Sequence, residues 1–222
     1  MSPSEALWFS KALGDRTVAE LSPMLNLGSS TLEYRTVTCP HIDQLLFSPL
    51  AEKGVRVIHS DLKANPGVDI VGDILSFDIR KQLITFAIKS IFCNNLLEHV
   101  EDIGAVCRAL SEICPHNGLL YLSVPHAYPY HPDPIDNGFR PSISELETLL
   151  QPYGFYLTES DIVDFGSYTE TLKSKHWLIL RDLYMFLFGI FNKKKRRVLF
   201  ENYRYLYKRY QVTCALFVMN RP

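Results

Sequence analysis

Short apolar runs recur along the chain with helical patterns or turns between them, and the first four end on residues suited to holding a ligand. Met24–Gly28 (MLNLG) closes on glycine. Val55–Leu62 (VRVIHSDL) and Val68–Asp73 (VDIVGD) close on acids, and Ala87–Asn95 (AIKSIFCNN) closes on two asparagines. Between them, Val100–Cys114 places Ile103, Val106, Leu110 and Ile113 on one face of a helix. Leu119–Val124 reads as a fifth strand stopping at Pro125, Tyr156–Val163 as a sixth and Gln211–Asn220 as a seventh, with a helix at Ser144–Gln151 before the sixth. Strands separated by helices predict an α/β, Rossmann-like fold, a mostly parallel seven-stranded sheet with helices on both faces. Ligands of such sheets sit beyond the carboxyl ends of the strands, where these glycines, acids and asparagines fall.

The N-terminal segment reads as a short helix: Ser2 as N-cap, Pro3 at the first position, Glu5 completing a capping box and Gly14-Asp15 ending it. It has neither a basic start nor a long apolar run, so no signal peptide is expected. The 222 residues suffice for one domain with a sizeable core. Twenty-three basic residues against 24 acidic ones give a formal net charge of −1, which implies no whole-chain attraction to nucleic acid. Five cysteines without zinc-type spacing make a reduced, cytoplasmic protein the expectation.

Gly28, followed by Ser29-Ser30, lets a ligand approach the backbone because no Cβ stands in the way. Asp61 can accept from both hydroxyls of a ribose, and Asp73 from an adenine amino group, with Ile74 against the ring. Each also has a plain reading as a turn or helix cap. Together they describe a nucleoside site. Their order, with Asn94-Asn95-Leu96-Leu97-Glu98-His99-Val100 and Gly118–Pro125 (GLLYLSVP), resembles the class I S-adenosylmethionine-dependent methyltransferases of the type 11-like kind, over roughly residues 23–220 excluding the insert before the last strand.

That resemblance implies S-adenosylmethionine as cofactor. Gly28 and Ser29 would line its methionine part, Asp61 would hold the ribose, Asp73 and Ile74 would recognise the adenine, Asn94 and Asn95 would sit beside it, and Leu62 is a further cofactor-binding residue. It also implies a last strand inserted antiparallel near the sheet edge. The glycine-rich loop departs from the family pattern: Asn26, counted among the cofactor-facing residues, stands where an acid is usual, and Ser30 replaces the second glycine.

The loop after strand five, HAYPYHPDPIDNGFR, concentrates polar side chains. Methyl transfer to a hydroxyl needs an aligned acceptor and a base for its proton. His131 is the candidate base with Asp136 to orient it. His126, Tyr130 and Arg140 are candidates for holding a small or glycan-type acceptor; an amine is the lesser alternative to a hydroxyl. Glu98-His99 reads as the structural start of a helix. His126, His131 and Asp133 are three metal-ligand types in one loop, but Pro129 and Pro132 restrict their convergence, and no metal is expected.

A helical, basic insertion at about 167–210 precedes the last strand. Trp177–Phe191 is apolar nearly all round, shorter than the roughly 20 residues a membrane span needs, and is followed by Lys193–Arg197 (KKKRR) and a Tyr-rich stretch. This suggests an anchor peripheral to a membrane. Two alternatives to an enzyme follow: an inactive methyltransferase-fold scaffold, from Asn26 and Ser30, and a membrane- or RNA-associated binding protein using the insert.

Overall fold

A computed structural model describes residues 1–131, 135–174, 180, 181, 183, 184, 193–206 and 208–220. Its strands form one seven-stranded sheet: β1 (Met24–Leu27), β2 (Val57–Asp61), β3 (Ile70–Val71), β4 (Ser90–Asn94), β5 (Leu119–Ala127), β6 (Phe155–Ser167) and β7 (Arg209–Met219). The order is β3-β2-β1-β4-β5-β7-β6. Strands β1 to β5 are mutually parallel, and β7 lies antiparallel between β5 and β6, where the last strand was expected.

Alternation along the strands divides the core into two layers. Met24, Phe92 and Tyr121 face one side, together with Phe9 of helix α1 (Pro3–Gly14), while Leu25, Ile91 and Leu120 face helix Ile103–Ile113 on the other. Both faces are covered, as a parallel sheet requires. The capping box of α1 is present: Ser2 Oγ accepts from the Glu5 amide (3.2 Å), and Glu5 Oε2 accepts from the Ser2 amide (3.0 Å).

Three features differ from the sequence reading. Strand β5 passes through Pro125 to Ala127 instead of stopping. Proline is tolerated where a strand has a free side or a bulge, and both hold here, since β4 ends at Asn94 and the register shifts between Pro125 and Ala127. Strand β3 shrinks to two residues, and the following helix begins at Phe77 behind Ser76, leaving Asp73 to accept from the Leu75 amide (2.9 Å) in a local turn. The segment from Tyr34 to Glu52 is helical in successive α and π turns, which the sequence reading left unassigned.

Between β6 and β7 lie helices Tyr168–Ser174 and Lys193–Arg204. Most of the apolar run at Trp177–Phe191 falls outside the described residues. Among the described residues, no helix is long and apolar enough to cross a membrane.

Phe9 is fully buried, edge-on to Phe92 at 5.0 Å and to Tyr121 at 6.4 Å, and fastens α1 to the sheet. Phe9→Ala is expected to lower unfolding free energy by about 3–5 kcal/mol, read by urea denaturation.

Candidate active site at the carboxyl ends of the parallel strands

Strands β1, β2 and β4 deliver their last residues to one edge of the sheet. The turn after β1 holds Gly28 at φ +69° and Ser30 at φ +55°. Ser30 thus holds a left-handed backbone of the kind glycine adopts freely, at a steric cost. Arg35, 3% exposed, secures the turn: Nη1 donates to the carbonyls of Ser29 (2.9 Å) and Ser30 (2.8 Å), and Nη2 to that of Gly67 (2.8 Å). Leu96 lies against this turn, its Cδ1 3.2 Å from where a Cβ on Gly28 would stand.

Asp61 closes the gap between β2 and the turn. Its Oδ2 accepts from the Ser30 amide (2.8 Å) and its Oδ1 from the Lys63 amide (3.1 Å). Leu62 beside it is 68% exposed, an apolar surface at the site's rim. Asp73 is exposed, whereas Ile74 is buried in the core. Asn26 is buried, and its amide nitrogen donates to His59 Nδ1 (2.9 Å), so it bridges β1 to β2. Burial, with the nearby Arg35 cation, pushes the His59 pKa down to about 4. That neutral ring is compatible with the proton-free Nδ1 that Asn26 requires.

At the end of β4, both side-chain atoms of Asn94 are buried without a hydrogen-bond partner among the described residues, as is Ser60 Oγ at the end of β2. Such atoms are costly unless something polar meets them. Asn95 takes φ +50° and donates from Nδ2 to Glu5 Oε1 (2.8 Å), which also accepts from Ser123 Oγ (2.5 Å).

The loop after β5 folds back over the 3-10 turn Leu97–His99. Asn137 donates from Nδ2 to the carbonyls of Leu97 and Val100 (2.8 Å each), and His99 Nδ1 meets the Ile135 carbonyl at 2.6 Å. Inside the loop Asp136 is the hub: it accepts from Arg140 Nη2 (2.7 Å), from the His131 amide (2.8 Å) and from the Gly138 amide (2.8 Å). Burial raises its pKa, but these hydrogen bonds outweigh burial and hold it near 2. His131 Nδ1 lies 3.1 Å from the Pro129 carbonyl and 3.3 Å from Asp136, and burial lowers its pKa. His126 Nδ1 meets the Pro141 carbonyl (3.1 Å), turned away from His131's partners. Tyr130 is half-buried. Asp133 lies outside the described residues.

The structure thus brings His131, Asp136 and Arg140 together, and gathers Gly28, Ser29 and Asp61 around one turn. Three participants escaped the sequence reading. Arg35 and Glu5 act across distances in sequence that no local motif encodes. Glu98 does start a short helical turn, but its carboxyl is fully buried, has no hydrogen-bond partner among the described residues, and is pushed by burial up to a pKa of about 8.

Two outcomes follow from the turn and its neighbour. Ser30→Gly is expected to raise stability by about 0.5–1 kcal/mol in urea denaturation, since glycine takes φ +55° without steric cost. His59 carries a folded pKa below its unfolded value, so its stabilising contribution is full above pH 6.5 and is lost as pH falls toward 4. Urea denaturation at a series of pH values should show that loss, on the order of 3 kcal/mol, and His59→Phe should flatten it while lowering stability near neutrality.

No family model and no curated protein matches the sequence. Solved structures do match its fold. The [4+2]-cyclase SpnF aligns with TM-score 0.59 at 11% identity, over 97% of this chain and 81% of that one. A phosphoethanolamine N-methyltransferase 2 of Haemonchus contortus, in complex with S-adenosylmethionine, aligns with TM-score 0.54 at 14% identity, over 98% of this chain but 52% of its own length. A SAM-dependent methyltransferase of Archaeoglobus fulgidus aligns with TM-score 0.54 at 12% identity, over 96% and 94% of the two chains. The chain has the Rossmann-like fold of the class I methyltransferases.

Proposed function

We propose that this protein is an S-adenosylmethionine-dependent methyltransferase acting on a hydroxyl, or secondarily an amine, of a small or glycan-type acceptor. One observation carries the reading. Asn94 presents a buried amide without a partner among the described residues at the carboxyl end of β4, at the same edge as the Asp61 carboxylate and the exposed Leu62. Unpaired amide, acid and apolar rim are what a charged, ribose-bearing ligand with an aromatic base would engage, so the residues present fit the cofactor.

Asp61 would hold the ribose hydroxyls with its remaining lone pairs, and Leu62 would cover the base, with Asp73 at the outer end. Gly28 and Ser29 would line the methionine part, with Asn94 and Asn95 on the β4 side. When bound, the cofactor supplies a methyl group on a sulfonium, an electrophile. His131 would take the acceptor proton: with Nδ1–H donated to the Pro129 carbonyl, its lone pair is on Nε2, and the lowered pKa keeps that lone pair free at neutral pH. Asp136, fixed by Arg140, orients the ring. His126 and Tyr130 are the acceptor-side contacts of the same loop. Work at a membrane surface through the basic insert rests on the sequence of Trp177–Arg197 alone.

A second reading, a scaffold that has lost methyl transfer, is favoured by Leu96 packed on the Gly28 turn and by the backbone amides already bonded to both Asp61 oxygens. Calorimetric titration with S-adenosylmethionine and S-adenosylhomocysteine separates the two. Saturable binding is expected, weakened at least tenfold in Asp61→Asn, about 1.4 kcal/mol or more. Absence of binding at millimolar ligand would replace the enzyme by the scaffold.

A further inference from the structure

The 3-10 turn after β4 and the loop after β5 place two imidazoles and a carboxylate together. Ligand-type atoms of Glu98, His99 and His131 all lie within 4.8 Å of one another. The Glu98 carboxylate is fully buried and, among the described residues, neither of its oxygens has a hydrogen-bond partner. Burying such a group without a positive or donating partner is costly.

The two rings show which of their nitrogens are free. His99 Nδ1 meets the Ile135 carbonyl at 2.6 Å, and His131 Nδ1 meets the Pro129 carbonyl at 3.1 Å. A carbonyl only accepts, so these contacts place the proton on Nδ1 and the lone pair on Nε2 of each ring; at His131 the Pro129 carbonyl and the Asp136 carboxylate (3.3 Å) favour that form over the longer approach of Arg140 Nη2 (3.4 Å) to the same nitrogen. This backbone anchoring of the far nitrogen is the arrangement found behind metal-ligating histidines. His99 Nε2 faces Glu98 Oε1 at 3.7 Å, beyond hydrogen-bond length, so a cation or a shared proton is what would join the two. The rings of His99 and His131 stand edge to face at 5.1 Å. Arg140, whose charge acts on Glu98, is already paired with Asp136 at 2.7 Å.

We propose that Glu98, His99 and His131 form a binding site for one divalent transition-metal ion of the zinc class. Two imidazole nitrogens and one carboxylate suit a borderline ion, and leave a position for water or an acceptor oxygen. Bonds of about 2.1 Å bring ligand atoms to roughly 3.4 Å apart, so side-chain rotations of about an ångström close the site. The expectation that no metal binds considered His126, His131 and Asp133. The structure assembles a different set, in which only His131 recurs and two ligands come from the segment after β4. An ion here would tie the loop to the turn beneath it. It would also take up the His131 lone pair, so that acidifying an acceptor hydroxyl would pass from the imidazole to the metal. The site stands independently of cofactor binding.

The test uses the full chain, stripped with a chelator, loaded with Zn²⁺ or Co²⁺ and desalted, with no cofactor present. One Zn²⁺ retained per chain by elemental analysis is expected, with visible Co²⁺ absorption bands of low-coordinate type. Glu98→Gln and His131→Ala should each weaken Zn²⁺ binding at least thirtyfold, whereas Cys39→Ser and His126→Ala should leave it unchanged. His131 lies on the loop and is partly exposed, so its variant gives a reading even if Glu98→Gln fails to fold. Substoichiometric retention, as expected if a proton alone bridges Glu98 and His99, would overturn the proposal. So would retention that both Glu98→Gln and His131→Ala leave intact.

Discussion

The carboxylate of Glu5 is 2% exposed, and it bonds residues 90 and 118 positions away in the chain. An anion in a sheet-helix core is destabilising unless its lone pairs are met. Here they are met by the Ser2 amide, Asn95 Nδ2 and Ser123 Oγ. One side chain thereby fixes the start of α1, the left-handed Asn95 and the carboxyl half of β5 against each other. The arrangement of polar groups at that edge depends on this junction, because Asn94 and the turn at Leu97–His99 flank the residue it holds.

The edge divides into a half fixed by backbone and a half fixed by side-chain charge. On the β1–β2 side, Arg35 and Asp61 grip main-chain carbonyls and amides, so the turn holds its left-handed shape with a serine at position 30. On the β5 side, the loop is organised by Asp136 and Arg140, side chains whose pairing is internal to the loop. Substrate range in such a molecule would be set by the second half, since the first is dictated by the sheet. Proteins of this fold include both methyltransferases and one described as a [4+2]-cyclase, which agrees with reaction type being carried by loops and not by the strands.

Most of the architecture was legible because the continuous apolar runs of a sheet buried on both faces and the capping chemistry of short helices are local. Ser2-Pro3-Glu5 predicted α1 and its cap. What was illegible came from pairing between distant segments. Whether Pro125 ends a strand depends on how far β4 extends beside it, and nothing near Pro125 states that. The site was legible as strand-end residues, Gly28, Asp61 and Asn94 among them, but not as contacts. Asn26 turned out to hold His59, and Glu98 faces His99 and His131 from a buried position, because an Asn or Glu in sequence does not reveal which neighbour it will meet.

Helix α1 lies against β6 and β7, with Ala6 and Phe9 in the same buried cluster as Val212, Cys214 and Leu216. During synthesis, residues 3–14 leave the ribosome long before residues 155–219 exist. The amphipathic helix therefore spends that interval without the surface that covers part of its apolar face. The nascent chain is most exposed to misassociation in this window, and release of the last strand is the event that ends it.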